Sequence, residues 1–145
     1  MKKPVLMFFL SFGLLMSAQT ENYVGKYEVV HEASNAKISY DIQLNPNGTF
    51  LFHAYQHNIC EDCKEENTYG KGVWKPQKNK LIYFFTNHKN DIDRTHTLNL
   101  NNTKARFISK SPRDKSDRVI KTALKFYDSE IPWMKGKELF KVEGN

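Results

Sequence analysis

The sequence predicts an all-β protein: one antiparallel up-and-down β-barrel of about eight strands behind an N-terminal signal peptide. Three observations carry that expectation. Apolar and polar residues alternate with a period of two in several runs, as half-buried strands require. Polar turns recur at intervals of roughly 10–15 residues, and no long helical stripe interrupts them. Finally, ten Phe, seven Tyr and two Trp in 145 residues supply the apolar surface that disordered chains lack. That length allows one ordinary domain.

The first eighteen residues are set apart. Lys2 and Lys3 are followed by an apolar stretch from Val5 to Met16, and then by Ser17-Ala18-Gln19. This is the order of a charged start, an apolar middle and a small-residue cleavage site. A membrane-spanning helix needs about 20 apolar residues, and this stretch has roughly a dozen. The expected division is a signal peptide at 1–18 and a barrel domain at 19–145. The mature chain is expected to be periplasmic or secreted, a monomer that does not span the membrane. Export makes nucleic acid an unsuitable partner.

The strands then follow in order. Tyr23–Val30 is β-branched and aromatic. In Ile38–Leu44, Ile38, Tyr40, Ile42 and Leu44 face one way and Ser39, Asp41 and Gln43 the other. Asn45-Pro46-Asn47-Gly48 is a turn, with Pro and Asn-Gly at positions that suit their backbone preferences. Thr49–Tyr55 resumes the strand, which makes a hairpin. The stretch from Gln56 to Thr68 is polar and holds both cysteines.

Tyr69–Lys75 reads as a strand whose glycines suggest a bulge or bend. Leu81–Phe85 is the most apolar strand of all. Thr95–Leu100 and Arg106–Ser109 read as a pair around Asn101-Asn102. Val119–Tyr127 fits both a strand and a helix stripe capped by Ser116 or Asp117. The strand reading is preferred, because Glu138–Val142 then pairs with it. Ile131-Pro132-Trp133-Met134 is too apolar for a free loop and is expected to cover one end of the core. Tyr27, Val29, Tyr40, Ile42, Phe50, Phe52, Trp74, Ile82, Phe84, Leu98 and Leu124 are the expected interior.

Gly25-Lys26-Tyr27, Asn47-Gly48-Thr49-Phe50 and Gly72-Val73-Trp74 together resemble the pattern of small exported bacterial lipocalin-like proteins of the calycin type. In that pattern a Gly-x-Tyr or Gly-x-Trp opens the first strand. The resemblance implies an eight-stranded barrel holding one small apolar ligand. Eight-stranded barrels are also often just wide enough for their own side chains. A filled barrel restricts binding to its surface.

Cys60-Glu61-Asp62-Cys63 is the one constellation with chemistry of its own. In an oxidising compartment Cys60 and Cys63 are expected to form a disulfide. Closing so short a loop removes little unfolded-state entropy. A redox role is disfavoured, because Glu61, Asp62, Glu65 and Glu66 oppose thiolate formation. The alternative is a metal site, since His53, His57, Cys60 and Cys63 are soft ligands suited to zinc or copper.

No nucleophile motif, paired carboxylates or phosphate loop marks an enzyme, and no cofactor is called for. Trp74 and Trp133 read as core or rim packing, and His31, His88 and His96 as surface. The basic stretch from Lys104 to Lys121 reads as a solvated rim, with an anionic surface as the alternative partner. The functional expectation is a non-enzymatic binding protein for a small apolar or amphipathic ligand or an envelope protein. The alternative is a metal-binding or metal-stress protein. Intact-mass measurement of the exported protein is expected to show loss of residues 1–18 and a two-hydrogen deficit from Cys60 and Cys63. An uncleaved, fully reduced mass contradicts both expectations.

Overall fold

A computed structural model describes residues 22–144. The predicted signal peptide lies outside the described residues. The elements are β1 (Gly25–Ala33), β2 (Ala36–Leu44), β3 (Thr49–Asn58), β4 (Glu65–Gln77), β5 (Leu81–Phe85), β6 (His96–Leu98), β7 (Thr103–Ile108), β8 (Ala123–Asp128) and β9 (Glu138–Lys141). All but β6 form a ring of antiparallel neighbours, β1-β2-β3-β4-β5-β7-β8-β9, and β9 returns to β1. The fold is therefore a closed eight-stranded barrel. Closure removes the unpaired edges of an open sheet.

The β2–β3 hairpin forms where the sequence places it. Leu44 lies opposite Phe50, and the turn is held by Gly48 N–H to the Asn45 carbonyl at 3.0 Å and Asn45 N–H to the Thr49 carbonyl at 2.9 Å. Gly48 sits at φ +85°, where a Cβ is strained. The pairing of β8 with β9 is also as expected, with Leu124 opposite Leu139.

Three expectations are corrected. The polar stretch 56–68 is mostly strand, because β3 runs on to Asn58 and β4 begins at Glu65. The alternation that reveals a strand fades there because the chain has passed beyond the packed core. The residues after Thr95 do not pair with β7. Instead β6 runs parallel to β4 at Tyr69 and Gly70, while β7 pairs with β5 and β8. The reason is the length of β4: β5 covers only its Val73–Gln77 half, and β6 takes the edge left over. Third, β8 starts only at Ala123, and 119–122 belong to no regular element.

The interior is filled by side chains. Tyr27, Ile42, Phe50, Phe52, Trp74, Ile82, Phe84 and Leu124 are buried as predicted, and Val29, Tyr40 and Leu98 pack partly buried against them. Leu44, Leu100, Phe107, Phe126, Met134 and Leu139 complete the core. Phe84 sits at its centre, edge-on to Phe50 at 5.3 Å and beside Phe126 at 5.6 Å. Such ring pairs add to the area term of burial.

One end is closed by polar side chains capping main-chain carbonyls. The Tyr27 hydroxyl donates to the Tyr23 carbonyl at 2.7 Å, Trp74 Nε1 to Asn45 at 3.1 Å, and Lys141 Nζ to Asn22 at 3.1 Å. Burial, and then the neighbouring Tyr23 phenol, push the Tyr27 phenol above its ordinary range.

Gly72 explains one of the glycines in β4. A Cβ there meets the backbone carbonyl of Phe85 and the ring of Phe50, and neither has room to retreat. Gly72→Ala is therefore expected to lower the stability by about 2–3 kcal/mol in urea unfolding. An unchanged midpoint contradicts the close approach of β4 and β5.

Candidate functional site

The opposite end of the barrel is built differently. Directly opposed residues in an antiparallel pair point to the same face, so the register fixes two further inward layers above Tyr27, Ile42 and Phe52. The first is Val29, Tyr40, Ala54 and Thr68; the second is His31, Ile38, Gln56 and Glu66. The layers change from apolar to polar towards the rim, as expected where solvent enters.

The connection between β8 and β9 crosses this end. Met134 is fully buried and anchors the crossing segment. Its neighbour Trp133 stacks on Tyr40, with ring centroids 5.3 Å apart and planes at 23°, and tilts towards Phe52 at 6.1 Å. Even so, Trp133 stays 37% exposed. Lys137 Nζ lies 4.7 Å from the centre of the Tyr40 ring, a cation–π distance. Between Trp133 and the inner faces of β2, β3 and β4 opens a cleft of about 260 Å³, walled by Ile38, Tyr40, Ala54, Gln56, Glu66 and Thr68. It has an aromatic wall from Tyr40 and Trp133 and a mostly polar lining, to which Gln56, Glu66 and Thr68 contribute.

The cysteines lie on the same rim, in the β3–β4 loop. Their sulfurs are at disulfide distance, with Cα atoms 5.1 Å apart. Cys63 N–H donates to the Cys60 carbonyl at 3.3 Å, and Ile59 N–H to Asn35 at 2.8 Å. The second bond joins this loop to the β1–β2 turn, so the rim is one connected piece.

The structure does not gather His53, His57, Cys60 and Cys63 into one group. Residues four apart along a strand are separated by about 13 Å, which keeps His53 and His57 apart. The cysteines follow beyond the end of β3. His53 is engaged on the outer face: Nδ1 with Asp41 at 3.1 Å, Nε2 with the Asn67 side-chain oxygen at 2.8 Å, and its ring stacked on Tyr69 at 4.6 Å. Among the described residues no three His, Cys, Asp or Glu side chains are placed to hold a metal ion.

Beside His53 lies a cluster that sequence reasoning missed. The Asp93 carboxylate accepts the backbone N–H groups of Thr95 and His96, at 2.8 and 2.7 Å, and pairs with Lys71 Nζ at 2.9 Å. His96 Nδ1 lies 3.0 Å from the same carboxylate. The group fastens β6 to β4. A local signal existed in the order Asp-Arg-Thr-His, since Asp side chains bond the backbone two residues on. The contact with Lys71 carried no such signal. Trp74 is core, as the sequence implied.

No protein-family model, no curated protein and no solved structure matches the chain.

The hydrogen bond from the His96 backbone, then that from Lys71, holds the Asp93 carboxyl well below the usual carboxylate range. A depressed folded-state value stabilises the fold above the ordinary value of 3.8 and loses that contribution as pH falls below it. The melting-temperature difference between wild type and Asp93→Asn is therefore expected to be present at neutral pH and to shrink below about pH 4. A difference independent of pH contradicts the assignment.

Proposed function

We propose that the protein is an exported, non-enzymatic binding protein of lipocalin-like type that takes a small apolar or amphipathic ligand at the open end of its barrel. The observation that carries this reading is Trp133. Its indole is held against Tyr40 by a buried neighbour, yet the residue as a whole remains exposed. An exposed indole keeps an apolar surface in water, and a flat ligand covering it gains the hydrophobic term. Binding at this end also agrees with the filled interior, where Phe50, Phe84 and Phe126 occupy the place of a deep ligand.

The polar lip gives the ligand its second character. Gln56 and Glu66 face each other across β3 and β4 on the inner side, so they meet a polar group carried at one end of the ligand. The cleft lining is more polar than apolar, so the apolar contact rests on Trp133 and Tyr40 and the polar groups orient the ligand. The cysteine pair on the rim suits an oxidising compartment, where a short cross-link restrains the loop beside the entrance.

The test uses a neutral apolar fluorophore, N-phenylnaphthylamine, titrated into the full-length protein and into Trp133→Ala. Removing the indole is expected to weaken binding about tenfold or more, measured at a temperature where circular dichroism melting shows both proteins folded. Equal affinities in the two proteins, or no binding by wild type, overturn the reading.

A further inference from the structure

On the outside of the barrel, at the closed end, β9 and the irregular segment 109–122 form a surface that the proposed ligand site does not use. Phe140 and Val142 project from the end of the barrel wall, and Val119 and Ile120 rise beside them. Val119 is 89% exposed, and Ile120, Phe140 and Val142 each lie between 36% and 40%. Single exposed apolar residues are ordinary, but a contiguous group of them marks an interaction surface. Here the four line one shallow depression of about 720 Å³.

Cations outnumber carboxylates around this group, whose lining holds Lys121 and Lys141 against Glu143. Segment 109–122 carries Lys110, Arg113, Lys115, Arg118 and Lys121 against Asp114 and Asp117. Of these five cations, only Arg118 is paired with a carboxylate among the described residues, Asp114 at 3.0 Å. Lys121 Nζ lies 5.9 Å from the centre of the Phe140 ring, so charge and apolar surface meet directly. A neighbouring depression of about 450 Å³ shares Thr122 and Lys141 with the first, adds Lys80 and Lys110, and has no carboxylate in its lining.

We propose that this surface docks the protein on an anionic phospholipid bilayer. Val119, Ile120, Phe140 and Val142 enter the boundary between headgroups and acyl chains, and the lysines and arginines of 109–122 meet the phosphates. Charge complementarity selects this occupant. A second copy of the chain seated face to face opposes one set of unpaired cations with another, which is unfavourable. An anionic bilayer satisfies both the cations and the apolar side chains, and two such signals together give stable attachment where one alone is marginal. Docking through the closed end leaves the Trp133 cleft facing away from the bilayer.

The experiment is co-sedimentation of the full-length protein with vesicles of phosphatidylcholine alone, or with about 30% phosphatidylglycerol. Three proteins are compared: wild type, Val119→Ser with Ile120→Ser, and Lys110→Gln with Lys115→Gln and Lys121→Gln. All share the same N-terminus, so any contribution from residues 1–18 is common to them. Wild type is expected to prefer the anionic vesicles, and to lose that preference as salt rises towards about 1 M. The apolar variant is expected to bind about tenfold more weakly or worse. The triple charge variant is expected to weaken on the order of a hundredfold, at about fivefold per cation.

All the substituted side chains are exposed or peripheral, and circular dichroism melting confirms that each variant folds. Equal binding to both vesicle types overturns the proposal. So does binding unaffected by either set of substitutions. A wild-type dimer that Val119→Ser with Ile120→Ser converts to monomer also overturns it, because the patch then belongs to a second copy.

Discussion

Two residue pairs close the barrel: Tyr27 opposite Lys141 and Glu28 opposite Phe140. One further bond, from Val142 N–H to the Lys26 carbonyl at 2.8 Å, extends the seam. Every other neighbouring pair in the ring shares more residues than this, so the seam between β1 and β9 is its shortest contact. Its weakness is offset by what surrounds it. Tyr27 is fully buried beside the seam and anchored to the Tyr23 carbonyl. The Lys141 ammonium lies 5.8 Å from the Tyr27 ring while bonding Asn22. The side chains therefore fasten the two strands where the ladder is short. Without that closure β1 and β9 become free edges, and the interior loses one wall.

Closure also decides where function can reside. An eight-stranded ring encloses a space that side chains can fill, and here Phe50, Phe84 and Phe126 meet in its middle. The usable surfaces are therefore the ends and the outside. At the open end β1 to β4 extend beyond the packed layers, and Trp133 is laid across them. At the closed end carbonyl caps seal the core, while the long connection between β7 and β8 carries charge and apolar groups to the outside. The two surfaces differ in chemical character because different segments build them.

Much of the fold was legible because its signals are local. The alternation in Ile38–Leu44 and the Asn45–Gly48 turn specify a hairpin without help from the rest of the chain. Legibility failed where the deciding contact is distant in sequence. Nothing near His96 says that it lies against β4; that follows from the difference in length between β4 and β5. Likewise the polar run 56–68 gives no strand signal, because its inner face looks into the solvated open end and its outer face is wet. Of the candidate site, the apolar run around Trp133 showed that it covers the core. Its stacking on Tyr40 depends on a register nearly a hundred residues earlier, which no pattern in 131–134 carries. The spacing of His53 and His57 suggested a common ligand, and the extended geometry of the strand separates them.

A filled interior confines the proposed binding to the open end. The most direct measurement is a map of amide and side-chain chemical-shift changes when N-phenylnaphthylamine is added to isotopically labelled protein. Changes are expected to concentrate at Ile38, Tyr40, Ala54, Gln56 and Trp133, with Ile82, Phe84 and Leu139 unmoved. Changes centred on Phe84 and its neighbours show a ligand within the barrel and contradict it.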